Sequence, residues 1–218
     1  MPEAIDALAS ERAHMVEQQL MRRGIRDPRV LEAMREVPRE AFVGAEEQGR
    51  AYADGALPLG HAQTISQPYM VARAAELAEL APGDIALDVG LGSGYQAAVL
   101  SHLCERVIGI ELVPELAAEA ERRLAKLGYD NIEVLTGDGS LGVPARAPFD
   151  AILVAAATSE APPALKEQLR QGGRLVIPLG ASKLQTLTVI TRTLAGFTSD
   201  EYDSCVYVPL LGAAKREP

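Results

Sequence analysis

Two hydrophobic patterns follow one another along the chain, and the first consists of short amphipathic segments separated by turn residues. One of them, "SERAHMVEQQLMRR", places Val16 and Leu20 on the same helical face. Another, "DPRVLEAMREV", begins with Asp27 as a helix N-cap and Pro28 at the first helical position. This pattern predicts that residues 1–56 form a helical appendage.

Beyond residue 82, apolar runs typical of buried strands alternate with helical segments. The strand-like runs are "DIALDVG", "RVIGIE", "NIEVLTGD", "FDAILVAAA" and "GRLVIPLG". Helices are predicted at "GYQAAVLSHLC", from Pro114 to Gly128, and around Ala164–Arg170. Strands covered on both faces are apolar throughout, so the pattern predicts a mostly parallel sheet with helices on both faces.

The last part of the chain, "QTLTVITRTLAGFTSDEYDSCVYVPLL", contains two strand-like runs with no helical pattern between them. Two such runs in succession predict an antiparallel C-terminal edge of the sheet. The chain is therefore predicted to form one Rossmann-like α/β domain. Within it, residues 57–81 form a loop and a helix, residues 82–180 the α/β core, and residues 181–218 the C-terminal strands.

Composition restricts the partners and the location. The chain has 218 residues, of which 48% are hydrophobic, and its net charge is −9. It lacks any run of Lys and Arg, which argues against nucleic acid as a partner. Neither a signal peptide nor a membrane-spanning apolar stretch is evident. Cys104 and Cys205 lie in apolar segments, as buried thiols in a reducing compartment do. We expect a cytoplasmic monomer that does not bind membranes.

Glycine or acidic residues mark the ends of the first three core strands. Because ligands of doubly wound sheets bind beyond the carboxyl ends of the strands, these residues are candidates for a cofactor site. They are Asp88, Gly90, Gly92, Ser93, Gly94, Glu111, Asp138 and Gly139.

The glycine cluster reads D-x-G-x-G-x-G, and Tyr95 stands where a dinucleotide fingerprint needs its third glycine. An acidic residue before the first glycine would repel a pyrophosphate, but it suits the ammonium group of S-adenosylmethionine. Glu111 is expected to accept hydrogen bonds from the ribose hydroxyls, and Asp138 from the adenine amino group. The prediction is a class I methyltransferase that uses S-adenosylmethionine and no metal ion.

The stretch "LPLGHAQTISQP" allows two interpretations. Ser66 or Gln67 caps the following helix, with Pro68 at its first position, or the helix start and the hydroxyls of Thr64 and Ser66 hold a carboxylate. The fourth core strand continues as "ILVAAATSE", without the Asn-Pro-Pro-aromatic signature of amide and amine methylation. A carboxylate acceptor is already ionised at neutral pH and needs no base, so it is the simpler choice.

The chain resembles the protein-L-isoaspartate O-methyltransferase family. The resemblance rests on "ALPLGHAQTISQPYMVA", "LDVGLGSGYQAAVL", "GDGSLGVPARAPFDAILVAAA", "GGRLVIPLG" and "YVPLLG", in the family's order. It implies that Ser66 is the catalytic serine and that Thr64, Ile65 and Ser66 bind the substrate. The implied reaction is carboxyl methylation of L-isoaspartyl residues in damaged proteins and peptides, which starts repair through a succinimide.

Two other functions remain open, namely a carboxyl methyltransferase specialised for one precursor peptide and a non-catalytic module that binds S-adenosylmethionine. The sequence also departs from the family pattern. Ala62 stands where glycine is common, Ser140 and Val143 follow Asp138-Gly139 where an aromatic is frequent, and Ala155 and Thr158 replace residues after the fourth core strand. An alanine forced to positive φ at position 62 would cost about 1 kcal/mol.

Overall fold

The computed structural model describes residues 2–181 and 184–213. The remaining residues of the predicted appendage and C-terminal strands, at positions 1, 182, 183 and 214–218, lie outside this part. The strands are β1 Leu57–Gly60, β2 Gln63–Ile65, β3 Ile85–Val89, β4 Arg106–Glu111, β5 Ile132–Thr136, β6 Phe149–Val154, β7 Leu169–Ala181, β8 Leu184–Thr193 and β9 Gly196–Cys205. The α-helices are α1 Pro2–Met15, α2 Pro28–Glu36, α3 Pro68–Ala78, α4 Tyr95–Ser101, α5 Pro114–Leu127 and α6 Pro163–Glu167.

A seven-stranded sheet in the order β5-β4-β3-β6-β7-β8-β9 forms the centre of the fold. The pairs from β5 to β7 are parallel, whereas β7 with β8 and β8 with β9 are antiparallel. The predicted Rossmann-like class, with its mostly parallel sheet and antiparallel C-terminal edge, is confirmed. Because the chain runs outward from β3 to β5 and then returns to β6, the order reverses beside β3. Ligand sites of such sheets lie at this position.

Two apolar clusters cover the faces of the sheet. One contains Leu87, Val89 and Ile152 together with residues from the α6 side. The other joins α3 and α4 to the N-terminal segments through residues such as Val16 and Met34. The N-terminal helices therefore share a hydrophobic core with the sheet. Their division into a separate appendage remains a prediction.

Local signals in the N-terminal part act as the sequence predicts. The side chain of Asp27 caps α2 by accepting a hydrogen bond from the Arg29 N–H at 2.8 Å, and Pro28 occupies the first turn. The first helical segment ends at Gly24, whose φ of 101° places it in the left-handed region. Both cysteines are buried and free. None of the described helices is long and apolar enough to span a membrane.

The helix predicted around Ala164–Arg170 is shorter than expected. It ends at Glu167, and Leu169 and Arg170 already belong to β7. The Gln168 carbonyl accepts a 2.8 Å hydrogen bond from the Phe149 N–H at the start of β6, so the chain joins the sheet at this point. A long-range strand contact thus overrides the local helical pattern.

Candidate active site

The glycine-rich turn links β3 to α4 at the switch point of the sheet. Gly90, Gly92 and Gly94 all have positive φ, at 81°, 53° and 87°. The N–H groups of Gly90 and Leu91 both donate to the Ile110 carbonyl, at 3.0 and 3.2 Å. These bonds hold the turn against the end of β4. Only glycine adopts this succession of left-handed conformations without strain.

Glu111, at the end of β4, fixes the turn from the other side. Its carboxylate accepts hydrogen bonds from the N–H groups of Gly92 at 2.9 Å and Val113 at 3.0 Å. Only 6% of the residue is exposed. Each carboxylate oxygen has a second lone pair, so Glu111 retains capacity to accept hydrogen bonds from a ligand.

A cleft opens beside these residues. Of the predicted cofactor residues, Gly90, Gly92, Ser93, Glu111 and Gly139 line it. Among the described residues that line it, Glu111 is the one acidic side chain, and no Lys, Arg or His joins it. The negative charge of Glu111 therefore disfavours a pyrophosphate in the cleft and favours a cationic ligand.

Asp88 lies deeper than the sequence alone indicates. Its carboxylate is fully buried, accepts a 2.7 Å hydrogen bond from the Gln96 side-chain amide, and does not line the cleft, whereas Gln96 does. Burial raises the pKa of Asp88 to about 7, and the negative charge of Glu111 adds to this shift. Its Oδ2 has no hydrogen-bond partner among the described residues. Gln96 is a site residue that the sequence reasoning missed.

Asp138 holds the C-terminal segment. Its carboxylate accepts hydrogen bonds from the N–H and hydroxyl of Ser140, at 2.9 and 2.7 Å, and from the N–H of Ala213 at 2.7 Å. Burial opposes the charged form, but the bonds from Ala213 and Ser140 lower the pKa of Asp138. Asp138 does not line the cleft, although the adjacent Gly139 does. Its expected bond to adenine remains a prediction.

The stretch before α3 does not cap the helix with a side chain. Gln67 is the N-cap residue but makes no capping hydrogen bond, and its amide donates to Asp54 at 2.7 Å. Pro68 occupies the first turn as predicted. Ser66 lies one residue before this N-cap position. The capping interpretation is therefore wrong for the side chains of both Ser66 and Gln67.

Thr64 and Ser66 stand where two openings meet. They line the cleft, and they also line a groove that reaches Tyr69 and the exposed Val206. Ile65 lines the cleft and is itself buried. A ligand in the cleft and a ligand in the groove would thus approach each other at the hydroxyls of Thr64 and Ser66.

The β1–β2 hairpin that carries Thr64 contains two consecutive non-glycine residues in the left-handed region. His61 has φ 50° and Ala62 has φ 56°. The hairpin packs on the glycine turn, because a Cβ placed on Gly92 would lie 3.6 Å from Leu59. The departure from the family pattern at Ala62 therefore falls on a position that favours glycine.

The fold and this cleft define a class I methyltransferase, with the glycine turn after β3 and an acidic residue closing β4. Residues 10–215 match the family model "Protein-L-isoaspartate(D-aspartate) O-methyltransferase (PCMT)". The chain belongs to this family.

Individual relatives agree with the family assignment. A protein-L-isoaspartate O-methyltransferase of Koribacter versatilis is 52% identical over 214 residues, which cover 98% of this chain and 96% of the relative. A solved protein-L-isoaspartate O-methyltransferase has a TM-score of 0.84 at 27% identity, covering 93% of this chain and 67% of its own. A Plasmodium falciparum homologue solved with S-adenosyl-L-homocysteine has a TM-score of 0.78 at 28% identity, covering 92% and 98%.

Proposed function

We propose that the chain transfers a methyl group from S-adenosylmethionine to the carboxylate of L-isoaspartyl residues in damaged proteins and peptides. Membership of the family supports the reaction. The structural observation that carries the proposal is the meeting of the cleft and the groove at Thr64 and Ser66.

The residues of the cleft fit S-adenosylmethionine, whose sulfonium and ammonium groups are cationic. Glu111 offers free lone pairs to hydroxyl groups, and Asp88 adds a buried carboxyl behind Gln96. Gly90 and Gly92 line the cleft without side chains of their own. When bound, the cofactor supplies an electrophilic methyl group on a good leaving group. The protein has to hold the reactants in line and exclude water.

We assign Ser66 and Thr64 to the acceptor carboxylate. The carboxylate loses its negative charge as the ester forms, so donors that only stabilise that charge would favour the ground state. Their useful contribution is orientation, and a misplacement of about 1 Å costs on the order of a hundredfold in rate. The neutral hydroxyls of Thr64 and Ser66 orient an anion without introducing a positive charge beside the cofactor.

The methyl ester then makes repair possible through the substrate's own chemistry. The neighbouring backbone nitrogen attacks the ester carbonyl, methanol leaves, and a succinimide ring closes. Hydrolysis of this ring returns part of the material to normal aspartate. The enzyme is needed only for the first step. Methanol leaves the ester carbonyl far more readily than water or hydroxide leaves the free carboxylate.

An assay for base-labile methyl esters tests the proposal. Enzyme and methyl-labelled S-adenosylmethionine are incubated with an isoaspartyl peptide or with the same peptide containing normal aspartate. We expect ester on the isoaspartyl peptide alone. Ester on neither peptide, together with cofactor binding, would favour a non-catalytic module. Ester confined to a different acidic peptide would favour an enzyme specialised for one precursor.

The role of Ser66 is tested by Ser66→Ala. We expect kcat to fall about ten- to a hundredfold because the acceptor loses its orientation, while cofactor affinity stays within about twofold. Ser199→Ala is the matched control, since Ser199 is exposed on β9. An equal loss of kcat and cofactor affinity would assign Ser66 a folding role instead.

For the partners and the location, we propose a cytoplasmic monomer that acts on proteins and peptides and does not bind nucleic acid. The net charge of −9 disfavours contact with phosphate backbones. The buried, free thiols of Cys104 and Cys205 suit a reducing compartment. Analytical ultracentrifugation of the purified chain tests whether it is a monomer. A main species of twice the chain mass would refute this.

A further inference from the structure

Gln96 lines the cleft, but its side chain has no role of its own in the proposed reaction so far. The residue lies in the first turn of α4 and is only 8% exposed. Its amide nitrogen, Nε2, donates to Oδ1 of Asp88 at 2.7 Å. None of the described residues donates a hydrogen bond to its amide oxygen, Oε1, and this atom is not fully buried. Oε1 is therefore open to a ligand in the cleft.

Asp88 stands behind this amide as a buried carboxyl group. It is 0% exposed and does not line the cleft, so a ligand meets the Gln96 amide rather than the carboxylate. A carboxylate that accepts an amide N–H polarises that amide and makes its oxygen a stronger acceptor. Burial raises the pKa of Asp88 to about 7, and a cation beyond Gln96 would favour the ionised form.

The order of the strands indicates which part of the cofactor lies beside Gln96. Glu111 ends β4, α4 follows β3, and Ala155 follows β6, in a sheet where β3 lies between β4 and β6. Ala155 lines both the cleft and the groove. With the ribose at Glu111 and the acceptor in the groove, the sulfur and its amino-acid chain lie beside β3 and α4. This chain carries the ammonium group.

We infer that the Gln96 amide oxygen accepts a hydrogen bond from the ammonium group of the cofactor, with Asp88 holding the amide in this orientation. The inference rests on the proposed function, because it concerns the cofactor of that reaction. An amide has donors on its nitrogen only, so the bond from Nε2 to Asp88 turns the oxygen away from Asp88. An ammonium group only donates, and a carboxylate only accepts. The exposed oxygen therefore suits the ammonium group and not the carboxylate of the cofactor.

The test compares S-adenosyl-L-homocysteine with an analogue in which a keto group replaces the ammonium group. The homocysteine form lacks the sulfonium charge, so its ammonium group is its only cation at neutral pH. Calorimetry of the wild-type chain should show that the keto analogue binds about ten- to a hundredfold more weakly, as the loss of a hydrogen bond to a charged group gives.

Gln96→Leu keeps the size of the side chain and removes the amide. It should weaken the binding of S-adenosyl-L-homocysteine by the same factor and leave the binding of the keto analogue within about twofold. Gln48→Leu is the matched control, because Gln48 is exposed and does not line the cleft. A decarboxylated ligand, which keeps the ammonium group, should lose affinity in Gln96→Leu as S-adenosyl-L-homocysteine does. If the keto analogue loses affinity instead and the decarboxylated ligand does not, Gln96 holds the carboxylate and the inference is overturned.

Asp88→Asn provides a second variant, which also serves if Gln96→Leu does not fold. It keeps an acceptor for Nε2 of Gln96 but removes the charge behind the amide. We expect a two- to tenfold loss of affinity, about the loss of one strengthened hydrogen bond, for S-adenosyl-L-homocysteine and not for the keto analogue. An unchanged affinity would overturn the role assigned to Asp88.

The wild-type chain separates failure of the inference from failure of the proposed function. Equal binding of S-adenosyl-L-homocysteine and the keto analogue would overturn the inference alone. Failure of the chain to bind S-adenosyl-L-homocysteine at all would overturn the cofactor assignment, and with it the proposed function.

Discussion

The left-handed alanine in the β1–β2 hairpin leads to the most direct prediction, which concerns Ala62→Gly. Ala62 has φ 56°, where a Cβ costs about 1–2 kcal/mol. Glycine removes this cost but loses about 0.5–1 kcal/mol through its greater freedom in the unfolded chain. Subtracting the second range from the first leaves a gain of about 0–1.5 kcal/mol in the free energy of unfolding, with a central value of about 0.75 kcal/mol. For a domain of this size, the central value corresponds to a rise in Tm of about 1.5–3 °C.

The control is a second hairpin alanine with ordinary backbone geometry. Ala195 is exposed in the turn between β8 and β9. It does not belong to the non-glycine residues with positive φ, which in the described part of the chain are His61, Ala62 and Glu79. Ala195→Gly should therefore lose about 0.5–1 kcal/mol. Urea denaturation of both variants, followed by circular dichroism, gives the comparison. If Ala62→Gly is no more stable than the wild type while Ala195→Gly behaves as expected, the strain at Ala62 is not real.

Three further predictions concern the cofactor side of the site. Asp88→Asn should flatten the dependence of the free energy of unfolding on pH. The pKa of Asp88 in the folded protein is raised from 3.8 to about 7. The contribution of Asp88 to the free energy of unfolding is therefore complete at low pH and is lost as the pH rises through about 7. Denaturation between pH 4.5 and 8 measures the wild-type minus variant difference, and a difference that does not fall with rising pH contradicts the shift. Glu111→Gln should weaken cofactor binding about tenfold or more by calorimetry, because an amide cannot accept the N–H bonds of both Gly92 and Val113; an unchanged affinity would exclude the assigned role. Gly212→Ala should lower the free energy of unfolding by about 1–2 kcal/mol, because a Cβ there overlaps the Asp138 carboxylate. Gly49→Ala, where a Cβ meets nothing, is its control, and equal stability of the two variants would mean that the C-terminal segment moves aside freely.

Most of the fold follows from patterns that are local in the sequence. The strands β3, β4 and β6 are nearly continuous apolar runs, and the glycine turn after β3 fixes where the first crossover helix begins. The order of β8 and β9 was not predicted, although β9, with Asp200, Glu201 and Asp203, is the more polar of the two, as an exposed edge strand is. Their pairing shows that β8 lies between β7 and β9. The early end of α6 likewise depends on a bond from β6.

The candidate site was predictable where single residues mark strand ends, and not where two distant segments meet. Glu111 and the glycines stand in the predicted places, but their contacts with ligands remain predictions. Gln96 was missed because an amide in the first turn of a helix has no special pattern in the sequence. The hydrogen bond from the Ala213 N–H to the Asp138 carboxylate joins segments far apart in the chain. Nothing local to either partner indicates it.

This acidic protein has no Lys or Arg among the described residues that line its cleft. The charges of the two reactants give a reason for this. The reaction joins a cation and an anion that must approach each other closely. A basic side chain at Thr64 or Ser66 would attract the anionic acceptor, but it would also repel the cationic cofactor and pair with Glu111. Neutral hydroxyls avoid both effects and add direction through their hydrogen bonds. Glu111, the acidic side chain among the described residues that line the cleft, is then expected to favour the cationic cofactor. We therefore expect Thr64 and Ser66 to orient the acceptor through hydrogen bonds, while the charged residues Arg23, Asp54 and Asp203 also line the groove.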